Sequence, residues 1–249
     1  MNLSVKNVYR QAYRLLVGSP GLFVSTLLIP GILLLVIGLF SIYLRNGEVD
    51  AVDFILTAIY YYTVTVFAIT CHRLVILGDG SVPVYGQLSW SNREWRFVGL
   101  FLVVGLTLLA GFLLGWLPFV FLGTVLASKS KIWLIPLVSV AVVCVFGATY
   151  YAARISLILP ACAIDKRLGI RESMVLTENN GWKMVFIVFG MPFVLALVTD
   201  LLKVNSTIFE YLFEPLWVIV YLFEVTLLSM AYKELSSGKL DTSNHEQIV

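Results

Sequence analysis

Apolar residues run along this chain in six long, nearly unbroken windows, at roughly 21–44, 53–77, 97–126, 132–160, 183–202 and 209–232, separated by short polar segments. Each window reaches the ~20 residues that a helix needs to cross the hydrocarbon of a bilayer. The runs lack the period-two alternation that a barrel strand requires, so the pattern predicts helices. The expected fold is all-α: a polytopic membrane bundle of six transmembrane helices occupying 1–235 as a single domain, followed by a polar cytoplasmic tail, 236–249. The third and fourth windows exceed one crossing, and tilt or a broken helix near Pro118 or Pro160 would absorb the excess. The first run ends in Arg45-Asn46-Gly47 and is too long for the core of a signal peptide, so it is expected to stay as the first span.

The polar segments carry a pattern of their own. Three basic preludes each lead into two apolar windows: Tyr13 to Pro20, Ser91 to Arg96, and Thr177 to Lys183. Such recurrence suggests a threefold repeat of helix-pair units in parallel orientation. In the first prelude Val5, Val8, Tyr9, Ala12, Leu15 and Leu16 recur at helical spacing, with Lys6, Arg10 and Arg14 on the opposite face. Ser4 can cap the start of this helix, and Gly18-Ser19-Pro20 can end it. Two placements fit: a solvated lead-in, or an amphipathic helix lying on the inner leaflet with its cations at anionic headgroups. The second is preferred, because no soluble domain exists for the apolar face to cover. The third prelude repeats the idea more weakly, and the middle one is degenerate.

Composition agrees with a membrane protein: of 249 residues 59% are hydrophobic and 13% charged, with mean hydropathy +0.92, against about 45–50% and 25% in soluble domains. The net charge of +2 matters less than its distribution. Of the 17 Lys and Arg, only Arg45, Lys129, Lys131 and Lys203 fall on one side of the alternating spans, which places the other side, with both termini, in the cytoplasm. Cys71, Cys144 and Cys162 lie in apolar windows without Cys-x-x-Cys spacing and read as small buried hydrophobes.

Charges inside apolar runs are the best candidates for chemistry, since they are costly there unless paired or wetted. His72 and Arg73, Arg154 and Glu224 form a candidate polar site, with Glu224 expected to pair with Arg154 or Arg73. The competing reading is a structural ion pair with arginines snorkelling to the interface. Glu210 and Glu214 suit the start of the last helix by its dipole. Gly111 and Gly115 have a close-packing spacing that also arises by chance. Tyr60-Tyr61-Tyr62 is expected to fill helix interfaces. No hydrolase, nucleotide, metalloprotease or dinucleotide signature occurs, and Gly78-Asp79-Gly80 has no second aspartate to make an intramembrane protease. No catalytic residue, cofactor, metal or nucleic-acid partner is expected.

The stretches His72 to Asp79, Arg154 to Asp165 and Arg171 to Trp182 resemble a widespread group of uncharacterised bacterial six-span membrane proteins. That group is distantly similar to the membrane domain attached to some glycerophosphodiester phosphodiesterases. The resemblance covers nearly the whole chain and implies the same architecture, a bacterial inner-membrane location, and weight on the motif positions Asp79, Asp165, Glu172 and Asn179. Where group members often carry Gly-Asn, this chain has Asn179-Asn180-Gly181. The attached phosphodiesterase is a separate soluble domain, so its activity is not implied. Two function classes follow. The preferred one is a non-enzymatic scaffold or accessory protein contacting lipid headgroups or a membrane-protein partner. The other is a small transporter or lipid-handling protein using the polar site.

Overall fold

The computed structural model describes residues 2–44, 50–83, 89–120, 134–202 and 207–246. They form helices α1 (Val5–Gly18), α2 (Pro20–Leu44), α3 (Asp50–Leu77), α4 (Asn92–Pro118), α5 (Leu134–Ile155), α6 (Ile158–Ala163), α7 (Ile170–Leu176), α8 (Gly181–Leu202) and α9 (Thr207–Glu246), with no strand among the described residues. Six stretches are long and apolar enough to cross a membrane: α2, α3, α4, α5 together with α6, α8 and α9. The chain is therefore a multi-pass membrane protein.

Local signals set the helix ends. Ser4 caps α1 by accepting from the Asn7 N–H, and the Ser19 N–H closes it on the Leu15 carbonyl. Pro20 then opens α2, where a missing N–H costs nothing. The long fourth window breaks as its length suggests. Pro160 can make no bond to the carbonyl of Ser156 and would clash with it, so the helix stops at Ile155 and restarts at Ile158, with the Leu159 N–H tightening onto that same carbonyl at 3.0 Å. Part of the third window, 121–126, lies outside the described residues. The last helix runs on past the expected end at 232 into the segment read as a tail. At 1.5 Å per residue its 40 residues make a rod of about 60 Å, twice the hydrocarbon thickness.

The spans close into a ring in which α2 pairs with α3, α3 with α4, α4 with α5, α5 with α8, α8 with α9 and α9 with α2. Helix α9 also reaches across the ring to α3. Helices α4 and α5 make the most extensive pair, and their seam is built on small residues. A Cβ at Gly111 would collide with the Ala148 side chain, and one at Gly115 would lie 3.1 Å from the Ala141 backbone. The Gly111–Gly115 spacing is thus a genuine close approach of two backbones.

At one end of the ring α6 turns inward and packs on α3, α4 and α9. All six of its residues are buried. Helix α1 lies across the same end. Leu3, just before it, and Val8 and Ala12 on its apolar face are fully covered, with the helix packed among α9, α2 and α8. This corrects the premise used to lay it on the leaflet: the bundle itself supplies the surface that this face covers. Lys6, Arg10 and Arg14 are exposed. The three preludes differ in form: fourteen residues of helix in α1, seven in α7 just before the third, and at the middle one a capping box at Ser91 that leads directly into α4.

Candidate functional site

The stretches singled out in the sequence meet at this end, around α6, and their polar residues terminate and tie helices. Asp165 has φ 62°, the left-handed position that ends a Schellman turn, with its own N–H on the Cys162 carbonyl at 3.0 Å and the Lys166 N–H on that of Ala161 at 2.9 Å. Its carboxylate, turned outward, accepts from Arg73 of α3 at 2.9 Å and Arg93 of α4 at 3.4 Å. Arg73 also donates to the Ala163 carbonyl at 3.2 Å, so α3 grips the end of α6 twice. Arg93 holds the buried Glu94 at 2.9 Å, and Glu94 completes the capping box by accepting from the Ser91 N–H at 2.7 Å.

Asp79, Glu172 and Asn179 have similar duties. Gly78, at φ 87°, ends α3 in the conformation that glycine favours, and the Asp79 carboxylate accepts from the Gly80 N–H at 2.9 Å in the turn that follows. Glu172 takes the Gly169 N–H at 2.8 Å and so caps α7. Asn179, at φ 64°, forms the turn into α8, where asparagine tolerates the left-handed region. Asn180 is buried, and its side-chain oxygen accepts from the Leu3 N–H at 2.9 Å and from Lys183 at 3.2 Å.

Arg154 ties α5 to α7. It donates to the Met174 carbonyl at 2.6 Å and to the Thr177 hydroxyl at 3.1 Å, while Ser173 donates back to the Arg154 carbonyl at 2.6 Å. Its guanidinium also sits 5.5 Å from the ring centre of Tyr150, a cation–π distance. That ring fills the space beside Gly181, where any Cβ would collide with it.

Glu224 therefore does not pair with Arg73 or Arg154, and that expectation is corrected. Both arginines reach acceptors nearer the end of the bundle. Glu224 faces Tyr9 of α1, whose phenol is pushed above its ordinary value chiefly by burial and further by this carboxylate. Tyr9 donates to the Phe186 carbonyl at 3.0 Å and meets Phe223 edge-on, so it wedges between α8 and α9. His72 lies inside the bundle with Nδ1 at 2.6 Å from Ser229. The Ser229 hydroxyl also reaches the Val225 carbonyl at 2.8 Å, so the imidazole, the hydroxyl and that carbonyl form one chain of polar contacts. Cys71 meets Thr226 in the same way at 3.6 Å. Polar side chains in the spans thus tie α3 to α9.

Two further features were not legible as sites. Beside α6 is a cleft of about 410 Å³ with an apolar floor of Leu100, Val103, Ile158 and Leu168 and a rim of Arg96, Lys166 and Arg167. Among the described residues none of these three cations has an ion pair. No motif joins them, because the fold brings α4 and the loop after α6 together. At the other end of the bundle Glu214 lies against Gly38 of α2, beside Tyr60 and Tyr61 of α3. Both tyrosines are substantially exposed, so of the Tyr60–Tyr62 run only Tyr62, stacked on Trp90 at 4.9 Å, fills an interface. Among the described residues no group of three or more His, Cys, Asp or Glu is placed to share a metal ion.

Comparison with models of protein families, with curated proteins and with solved structures finds no match to this chain.

Proposed function

We propose that this protein is a non-enzymatic component of a bacterial inner membrane that holds anionic lipid at the basic end of its bundle, with both termini in the cytoplasm. The cleft beside α6 carries this reading. Its three cations stand over an apolar floor, which matches a phosphate headgroup above an acyl chain. The exposed Lys6, Arg10 and Arg14 of α1 add positive charge at the same end. The asymmetry of Lys and Arg along the chain supports the orientation, and the resemblance to bacterial six-span proteins supports the location. A transport site built on Arg73, Arg154 and Glu224 has less support, since both arginines already serve helix ends.

The test is lipid retention. Protein purified from membranes containing phosphatidylglycerol should carry bound anionic lipid by native mass spectrometry. Replacing Arg96, Lys166 and Arg167 together by Gln should lower the retained amount at least fivefold without changing thermal unfolding. Equal retention by the variant overturns the proposal.

A further inference from the structure

From the end of the bundle away from α6 toward the first turns of α4, a groove runs along α3 where α3 and α4 touch only lightly. Three adjoining cavities make it up, of about 520, 440 and 360 Å³, and Tyr61 lines all three. From Thr57 to Thr65 the groove follows eight residues of helix, about 12 Å. One end is aromatic and acidic, where Tyr60, Tyr61 and Trp217 line the same cavity as Glu214. The other is apolar, walled by Val64, Phe97, Phe101 and Leu102.

Among the described residues Glu214 is the one charged side chain lining these cavities, and among those residues it has no hydrogen bond or ion pair. A carboxylate in a membrane span is costly unless something compensates it. The carboxylate lies against Gly38 of α2, where the missing side chain leaves room for it. A lone carboxylate supplies too few oxygens for a calcium or magnesium site. An anion would be repelled, and a neutral lipid would leave the charge unmatched. An organic ammonium satisfies both the carboxylate and the ring faces around it.

We propose that this groove binds a hydrophobic organic cation, with its ammonium head between Glu214 and the Tyr60, Tyr61 and Trp217 rings and its alkyl tail along Val64 and Phe101. The exposed Tyr61 leaves the site open from the side of the bundle. This site is independent of the basic cleft.

The test uses the full chain in neutral maltoside micelles and octyltrimethylammonium as probe, followed by isothermal titration. Saturable binding at one site is expected, with octanesulfonate, of the same chain length and opposite charge, giving none. Glu214→Gln should weaken affinity at least tenfold, while Glu214→Asp stays within about threefold of the parent. Absence of saturable binding, or parental affinity in Glu214→Gln, overturns the proposal. Should Glu214→Gln fail to fold, the parent protein decides. Dicyclohexylcarbodiimide, which attacks carboxyls in apolar surroundings, should label Glu214 in peptide mass spectra, and octyltrimethylammonium should protect it. Labelling without protection overturns the proposal equally.

Discussion

The end of the bundle around α6 and the outer half of the α4–α5 hairpin are joined by the same helices and held by different forces. Around α6, Ser173, Thr177 and Asn180 are buried, and side chains satisfy backbone groups at the ends of α4, α5, α6 and α7. Along the hairpin, Leu106, Phe112, Leu114, Val142, Val143 and Phe146 are exposed, and the two helices meet each other at the Gly111 and Gly115 seam. Lipid tails are as apolar as leucine, so no hydrophobic force draws these helices together and close backbone contact must serve. At the basic end backbone groups leave their helices and need partners, so directional bonds dominate. The same kind of substitution should therefore act differently in the two regions.

The largest effect is expected at Arg154. Arg154→Met removes two charge-assisted hydrogen bonds and leaves the Met174 carbonyl only the longer contact from the Thr177 hydroxyl at 3.3 Å, a loss of about 3 kcal/mol, read as a clear fall in thermal unfolding temperature in detergent. Arg154→Lys should recover less than half of that loss, because an ammonium cannot copy the fork that meets both the carbonyl and Thr177. A smaller effect is expected at the seam. Gly111→Ala forces α4 and α5 apart at Ala148, at a cost of about 2 kcal/mol. Combined with Arg154→Met its cost should be additive to within about 0.5 kcal/mol, and strong coupling would show that the two regions are one. The smallest effect is expected for Asp165→Asn. Asparagine accepts the left-handed turn, so the change isolates an ion pair open to water, worth about 1 kcal/mol or less and reduced further by salt.

How far these features can be read from the sequence depends on the kind of force. Spans and their approximate limits follow from hydropathy alone, because a bilayer demands length and apolarity wherever the helix sits. The break before Pro160 follows from one residue type. The Ser91-x-x-Glu94 capping box was equally visible in principle, as a serine followed three residues later by an acid ahead of an apolar run, yet the degenerate middle prelude hid it. Asp79, Asp165, Glu172 and Asn179 stood out as motif positions, and their structural reason is helix termination. Partner choice was not legible. Glu224 and Arg154 look like natural partners when charges are sparse, but helix rotation decides which face each shows, and a uniformly apolar helix carries no record of its rotation. The same gap concealed Glu214, expected at the start of the last helix but placed at its eighth residue, since α9 begins at Thr207.

The burial of α6 has a consequence for how the protein is made. This short helix rests on α3, α4 and α9, yet it leaves the ribosome well before α9 does. Until the last span has entered the bilayer, α6 lacks one wall, His72 lacks Ser229 and Cys71 lacks Thr226. Assembly thus finishes with a keystone step set by chain order. A nascent chain stalled before α9 would show uncovered polar side chains inside the membrane, the kind of flaw by which a protease that patrols the bilayer can tell an unfinished protein from a finished one.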